Sequence, residues 1–159
     1  MTFTVEVNTG QSGRRLDEII AILSDMSPVM RAVAYDLKDE TEQNFQAQGR
    51  PHWVPLAAAT VKARQKKGKS GASVLQILQD SGIMAASLST DHGQDFAQIS
   101  SNVPYAAMHQ FGGKIGRGSK VSIPARPWFP FVGMPESAQL QPEAEQTVLD
   151  TLSQMLNGR

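Results

Sequence analysis

Cysteine is missing from all 159 residues. That excludes structural disulfides, thiol nucleophiles and every cysteine-ligated zinc or iron–sulfur site. Net charge is missing as well: fifteen Lys and Arg balance fifteen Asp and Glu, so bulk positive charge offers no ground for nucleic-acid binding. No apolar run approaches the ~18 residues of a membrane span; the best, Ile19 to Leu23, is five long. Met1 to Val7 alternates apolar and polar without a basic start, which predicts a first strand and not a signal peptide. The expectation is a soluble, redox-indifferent domain made in the cytoplasm.

Catalytic parts are scarce too. None of the three histidines, His52, His92 and His109, falls in a His-x3-His or His-Glu-x2-His spacing. His92 sits in a predicted turn, His52 in a proline-bracketed loop, and His109 one helical turn after Tyr105, with no partner placed by sequence. Gly113-x4-Gly118 is followed by Ser119-Lys120, the reverse of the Lys-Ser/Thr order that a phosphate loop needs. No Gly-x-Ser-x-Gly nucleophile elbow occurs. The expectation is a protein without catalysis, cofactor or metal.

What is present suits one ordinary domain, since chains of this length bury roughly 70% of their unfolded surface and 40% of the residues are hydrophobic. The balanced charge is strongly segregated. Residues 1–42 are acidic overall. Residues 43–79 hold Arg50, Lys62, Arg64, Lys66, Lys67 and Lys69 without one acid. Residues 80–111 contain only Asp80, Asp91 and Asp95, residues 112–135 only Lys114, Arg117, Lys120 and Arg126, and the last stretch is acidic again. Such blocks suit either complementary surfaces on neighbouring copies or simple solvated loops.

Periodicity predicts the elements. After a turn-rich linker at 8–13, Leu16, Ile19, Ile20 and Leu23 recur at helical spacing. Ser27-Pro28 predicts a restart with serine as cap, and Val29, Val33, Leu37 and Phe45 line one face of a helix ending before Gly49. A basic helix starts at Thr60. Met84–Thr90 and Phe96–Ser100 flank a turn and predict a hairpin. A short helix from Pro104 to Phe111 precedes a glycine- and lysine-rich loop at 113–120. Val121–Ile123 is a short strand, and Pro142–Leu156 a last helix with Val148, Leu149, Leu152 and Leu156 as its stripe. The fold class is α+β, a single domain over 1–159 with a small antiparallel sheet flanked by helices; residues 1–28 form an N-terminal strand–helix extension.

Four clusters place aromatics, prolines and arginines in irregular sequence: Arg50-Pro51-x-Trp53-x-Pro55-Leu56-x3-Thr60-x3-Arg64, Leu78-x-Asp80-Ser81-Gly82-x-Met84-x3-Leu88, Tyr105-Ala106-x2-His109-Gln110-Phe111-Gly112, and Ile123-Pro124-Ala125-Arg126-Pro127-Trp128-Phe129. Two accounts fit them. The aromatics anchor irregular backbone to the core, or a proline-stiffened segment presents them to another chain at low entropy cost.

In their order and spacing the four clusters resemble the phage virion morphogenesis proteins of Mu-like and related tailed phages, the tail completion proteins, from about Val29 to Phe131. Met84 stands where that family usually has leucine and Trp128 where it has phenylalanine. The resemblance implies a tail-terminator- or neck-like fold and a structural role at the head-proximal end of the tail, supporting head–tail joining as a ring, commonly a hexamer. It implies as partners further copies of the chain, tail tube or tail terminator proteins and head–tail connector proteins, with passing contact to genomic DNA and none to a membrane. Localisation would be the virion, at its neck or the head-proximal tail end, after assembly in the host cytoplasm. Under this expectation Arg126, Trp128, Phe129, Lys114, Arg117 and Lys120 lie at subunit or partner interfaces, while Trp53, Tyr105 and Phe111 anchor loops in the core. The alternatives are a head–tail connector and, in another class, a nucleic-acid-binding module using the basic stretches 62–69 and 114–120.

Overall fold

Ser27-Pro28 divides the helical first third of the chain. In the computed structural model, which describes residues 10–68, 70–118 and 120–157, helix α1 spans Gly10–Ser24 and α2 Ser27–Gln46. The expected strand Met1–Val7 lies outside the described residues. The linker expected up to residue 13 is helical from Gly10, because no proline stops α1 from propagating upstream of its apolar repeat. Ser27 is not the cap. The carboxylate of Asp25 accepts the Ser27 N–H at 3.0 Å; hydrogen bonds from the Ser27 side chain and then from this N–H hold the Asp25 pKa below its usual value, and Pro28 occupies the first turn.

Helix α2 buries Val29, Val33, Ala34 and Phe45 and packs along α6, Pro142–Asn157, and across a hairpin of β1, Leu88–His92, and β2, Ala97–Ser101. The hairpin pairs Leu88 with Ser101 and His92 with Ala97. Its expected start at Met84 is instead a short helix α4, Ile83–Ala86. Gly82, at φ +74°, turns the chain so that Met84 enters the core. Of the α6 stripe, Val148 and Leu152 are half-buried while Leu149 and Leu156 remain exposed.

Helix α3 spans Ala58–Lys66 and α5 Ala106–Phe111. The stretch expected as a loop at 113–120 begins as strand β3, Gly113–Ile115, paired antiparallel with β4, Val121–Ile123. Strands β5, Phe131–Val132, and β6, Gln139–Leu140, form a third ribbon. The domain is α+β, and its antiparallel strands are arranged as three two-stranded ribbons among the described residues.

The core is aromatic. Phe45 lies edge-on to Trp53, with ring centroids 5.9 Å apart, and 5.7 Å from Trp128, while Ile77 and Met84 close the cluster. Both indole N–H groups are satisfied, Trp53 by Pro127 O at 2.9 Å and Trp128 by Ala106 O at 3.2 Å. That is why two tryptophans tolerate such burial.

Candidate functional site

The segment Pro124–Pro130 belongs to no strand, yet Trp128 is fully buried within it. Buried backbone outside regular structure must find its hydrogen bonds elsewhere, and here side chains supply them. Gln110 on α5 accepts the N–H groups of Trp128 at 2.9 Å and Phe129 at 3.0 Å through its carbonyl, and donates to Phe131 O at 2.9 Å. Asn44 on α2 donates to Trp128 O at 3.2 Å and to Gln141 Oε1 at 2.8 Å. Gln141 donates in turn to Arg50 O. The Arg126 N–H reaches His109 O at 2.7 Å. The segment is therefore a strap, pinned across the core by amide side chains.

Arg50 completes this network. Its guanidinium donates to Asn44 Oδ1 at 2.9 Å and pairs with Glu40 at 2.7 Å, and Glu40 accepts a further hydrogen bond from Thr147 on α6. A buried ion pair this well hydrogen-bonded ties α2, the loop after it and α6 into one unit. Gly112 is required for the strap to approach. It adopts φ +70°, and a Cβ there would lie 2.6 Å from Ala125 N.

Beside the strap lies a groove of about 410 Å³, and all four sequence clusters contribute to it: Leu56, Thr60 and Arg64, then Leu78, Asp80 and Met84, then Tyr105 and His109, then Ile123, Pro124 and Arg126. Val121 and Ser122 of β4 form one wall. The walls are largely apolar and the polar groups are mostly engaged. Arg64 donates to Val74 O and Gln76 O and pairs with Asp80 at 3.3 Å. Arg126 donates to Val54 O from Nε and Nη2, and to Pro55 O. Burial, and then the neighbouring charge of Arg64, lower the Arg126 pKa. His109 is likewise pushed below its usual value by burial and by Arg126, which keeps it neutral at neutral pH. Its Nδ1 is buried without a hydrogen-bond partner among the described residues.

The sequence-predicted residues divide sharply. Trp128 presents no surface in the single chain, and Arg126 is 7% exposed with its guanidinium held by carbonyls. Neither is available to a neighbour as expected, because Gln110 and Asn44 draw the strap inward. Phe129 is half-buried, stacked on Trp128 at 4.1 Å and on Phe131 at 5.8 Å. Lys114, Arg117 and Lys120 are exposed on the β3–β4 ribbon and its connection. Trp53 is core and Phe111 half-buried. Tyr105, expected in the core, is 43% exposed on the groove rim, its ring edge-on to His109. Sequence reasoning missed Asn44, Gln110 and Gln141. Only Gln110 had a signal, its place between His109 and Phe111 in the third cluster.

No group of three or more acidic or histidine side chains able to hold a metal occurs among the described residues, and no described helix is long and apolar enough to cross a membrane. The groove's chemistry is thus that of an apolar slot with two ordered guanidiniums and one neutral imidazole, suited to contact with a chain.

The model of the phage virion morphogenesis family matches residues 7–157. The chain belongs to that family. Its role is accordingly a structural one in assembly of the phage particle. It is 36% identical over 125 residues to Mu-like prophage FluMu G protein 2 of Haemophilus influenzae, covering 78% of this chain and 80% of that one. It is 33% identical over 134 residues to "Putative capsid assembly protein G" of Escherichia phage Mu, covering 79% and 83%. FluMu G protein 1 of the same Haemophilus strain is 32% identical over 112 residues. No solved structure matches the chain. In this family member the clusters that carry the resemblance build the strap and the groove beside it.

Proposed function

We propose that the protein completes the phage tail at its head-proximal end, acting without catalysis as a ring of identical subunits, a hexamer, that supports head–tail joining in the virion neck. The observation that carries this is where the polar groups go. The buried amides of Asn44, Gln110 and Gln141 and the guanidiniums of Arg64 and Arg126 hold backbone, which leaves exposed charge and exposed apolar helix as the surfaces for work. Exposed Lys62, Lys66 and Lys67 on and after α3, with Lys114, Arg117 and Lys120 on the ribbon, lie in basic blocks. The first and last blocks are acidic, so a head-to-tail contact can match unlike surfaces and close by rotation. Its partners would be further copies, tail tube or terminator proteins and connector proteins.

The printed name of the phage Mu relative, a capsid assembly protein, favours a second reading, a connector on the head side. Light scattering across concentration, with and without purified tail tubes or filled heads, tests both. A ring-sized mass, or a monomer that becomes tube-bound, is the expected result; binding to heads alone selects the connector. A persistent monomer that ignores both but binds DNA with a steep salt dependence would overturn the proposal in favour of the basic ribbon as a nucleic-acid surface.

A further inference from the structure

Arg126 offers nothing to a flat neighbouring surface, yet it lines the groove and one of its nitrogens is idle. Nε and Nη2 are taken by Val54 O and Pro55 O, while Nη1 makes no hydrogen bond among the described residues. Arg64, as deeply buried as Arg126, lines the same groove, and its charge adds to burial in lowering the Arg126 pKa. Asp80 pairs with Arg64 at 3.3 Å, and no carboxylate among the described residues pairs with Arg126. A buried cation without a counter-charge is costly, and a carboxylate is the group that a guanidinium fork fits.

Around that cation the groove is apolar and its mouth is bare. Val121 on β4, its cross-strand partner Ile115, and Tyr105 are all exposed. Such walls suit a carboxylate carried beside a leucine better than a hydrated phosphate. Helix α6 presents that pair. Glu145, Leu149 and Leu156 share one face, at i, i+4 and i+11; Glu145 is exposed and Leu149 is 52% exposed. The helix carries Glu143, Glu145 and Asp150 and no base. The groove is flanked by exposed Lys67, 4.0 Å from Asp80, and exposed Lys120, next to Val121.

We propose that the groove is a socket for α6 of a second copy of the chain, with Leu149 seated against Val121 and Tyr105 and the Glu145 carboxylate received by Arg126. The occupant is another copy because α6 is fixed away from its own groove. Thr147 bonds it to Glu40 on α2, Ala144 is buried, and no residue of α6 lines the groove. Both surfaces therefore stay open in the single chain. Joining two unlike surfaces is a heterologous contact, which repeats from copy to copy and closes a ring by rotation. The inference rests on the self-assembly in the function proposed above and names the surfaces that carry it.

The absence of cysteine makes the test clean. Proteins carrying Leu149→Cys or Val121→Cys alone are mixed and treated with a short thiol-to-thiol crosslinker, and the double variant is treated separately. The socket predicts a mixed dimer as the dominant product of the mixture and a ladder of multimers from the double variant. A crosslinked monomer from the double variant, or no mixed dimer from an assembling mixture, overturns it. Light scattering supplies the second measurement. Glu145→Gln keeps the shape and the melting temperature of the parent and should weaken self-association at least about tenfold. If the parent assembles and both Glu145→Gln and Leu149→Ser keep its mass at every concentration, the socket is overturned while self-assembly stands. If duplex DNA, and not assembly, shields the Val121→Cys thiol, the groove takes phosphate and the socket falls. If the parent never assembles, with or without tail tubes, the proposed function fails first and the socket with it.

Discussion

The strap Pro124–Pro130 and helix α1 reverse what their sequences suggest. The strap has the arginine, tryptophan and paired prolines expected of a contact surface, yet it runs through the middle of the domain with Trp128 fully buried. Helix α1 is an unremarkable amphipathic stretch that reads as a packed element, yet Leu16, Ile20 and Leu23 face solvent and Ile19 and Ile22 are only half-buried. The difference lies in how each satisfies its backbone. A helix completes its own hydrogen bonds and can stand at the edge of a fold with its apolar face open. An irregular segment cannot, and it becomes buried only where side chains such as Gln110 and Asn44 receive it. Irregular sequence dense in aromatics thus marks the site of strongest tertiary constraint, and regular sequence supplies the free surface.

The largest expected effect breaks the strap. Trp128→Ala removes the ring between Phe45 and Phe129 and should cost about 3–5 kcal/mol, lowering the melting temperature enough that little folded protein is recovered. A smaller loss follows from Gln110→Leu, which keeps bulk but strands two N–H groups and one carbonyl. With about 1–3 kcal/mol for an unpaired buried group, denaturant titration should register at least about 2 kcal/mol. If Gln110→Leu melts like the parent, the amides do not hold the strap and the comparison fails.

Changing α1 tests the other side. Because Leu16, Ile20 and Leu23 are exposed, replacing all three by serine should alter the stability of the single chain by no more than about 0.5 kcal/mol per site, read by thermal melting of dilute protein. A loss comparable to that of Trp128→Ala would show that the stripe already packs within its own chain.

Much of this architecture was legible in the sequence. The apolar repeats placed α2 and α6 to within a few residues, and the turn around His92-Gly93 placed the β1–β2 hairpin. The ribbon β3–β4 was half legible: Val121–Ile123 stood out, but its partner Gly113–Ile115 was hidden among glycines, whose strand propensity is low. The pins of the strap were not legible, for a physical reason. Asn44 and Trp128 are 84 residues apart, and an asparagine on a helix has the same local signature whether it faces water or a buried carbonyl. The aromatic clusters showed that irregular backbone needed anchoring without indicating which polar side chains anchor it. Tyr105 misled because its aromatic ring suggested core, whereas its position at the mouth of α5 leaves it on the groove rim.

The smallest expected effect concerns the groove itself. Burial and the Arg126 charge lower the His109 pKa in the fold, so the folded chain favours the neutral ring more than the unfolded chain does. As pH falls through the ordinary histidine value of 6.5, the unfolded state takes up a proton first. Stability contributed by neutral His109 is therefore complete above that value and lost as pH drops towards the depressed folded one. Asp36, raised by burial and by Asp39 and Glu40 against a hydrogen bond from Thr151, has the opposite sign, costing stability as pH rises from 3.8 through its elevated folded value. Melting curves of His109→Gln should lose the slope on the acid side of neutrality while those of Asp36→Asn keep it.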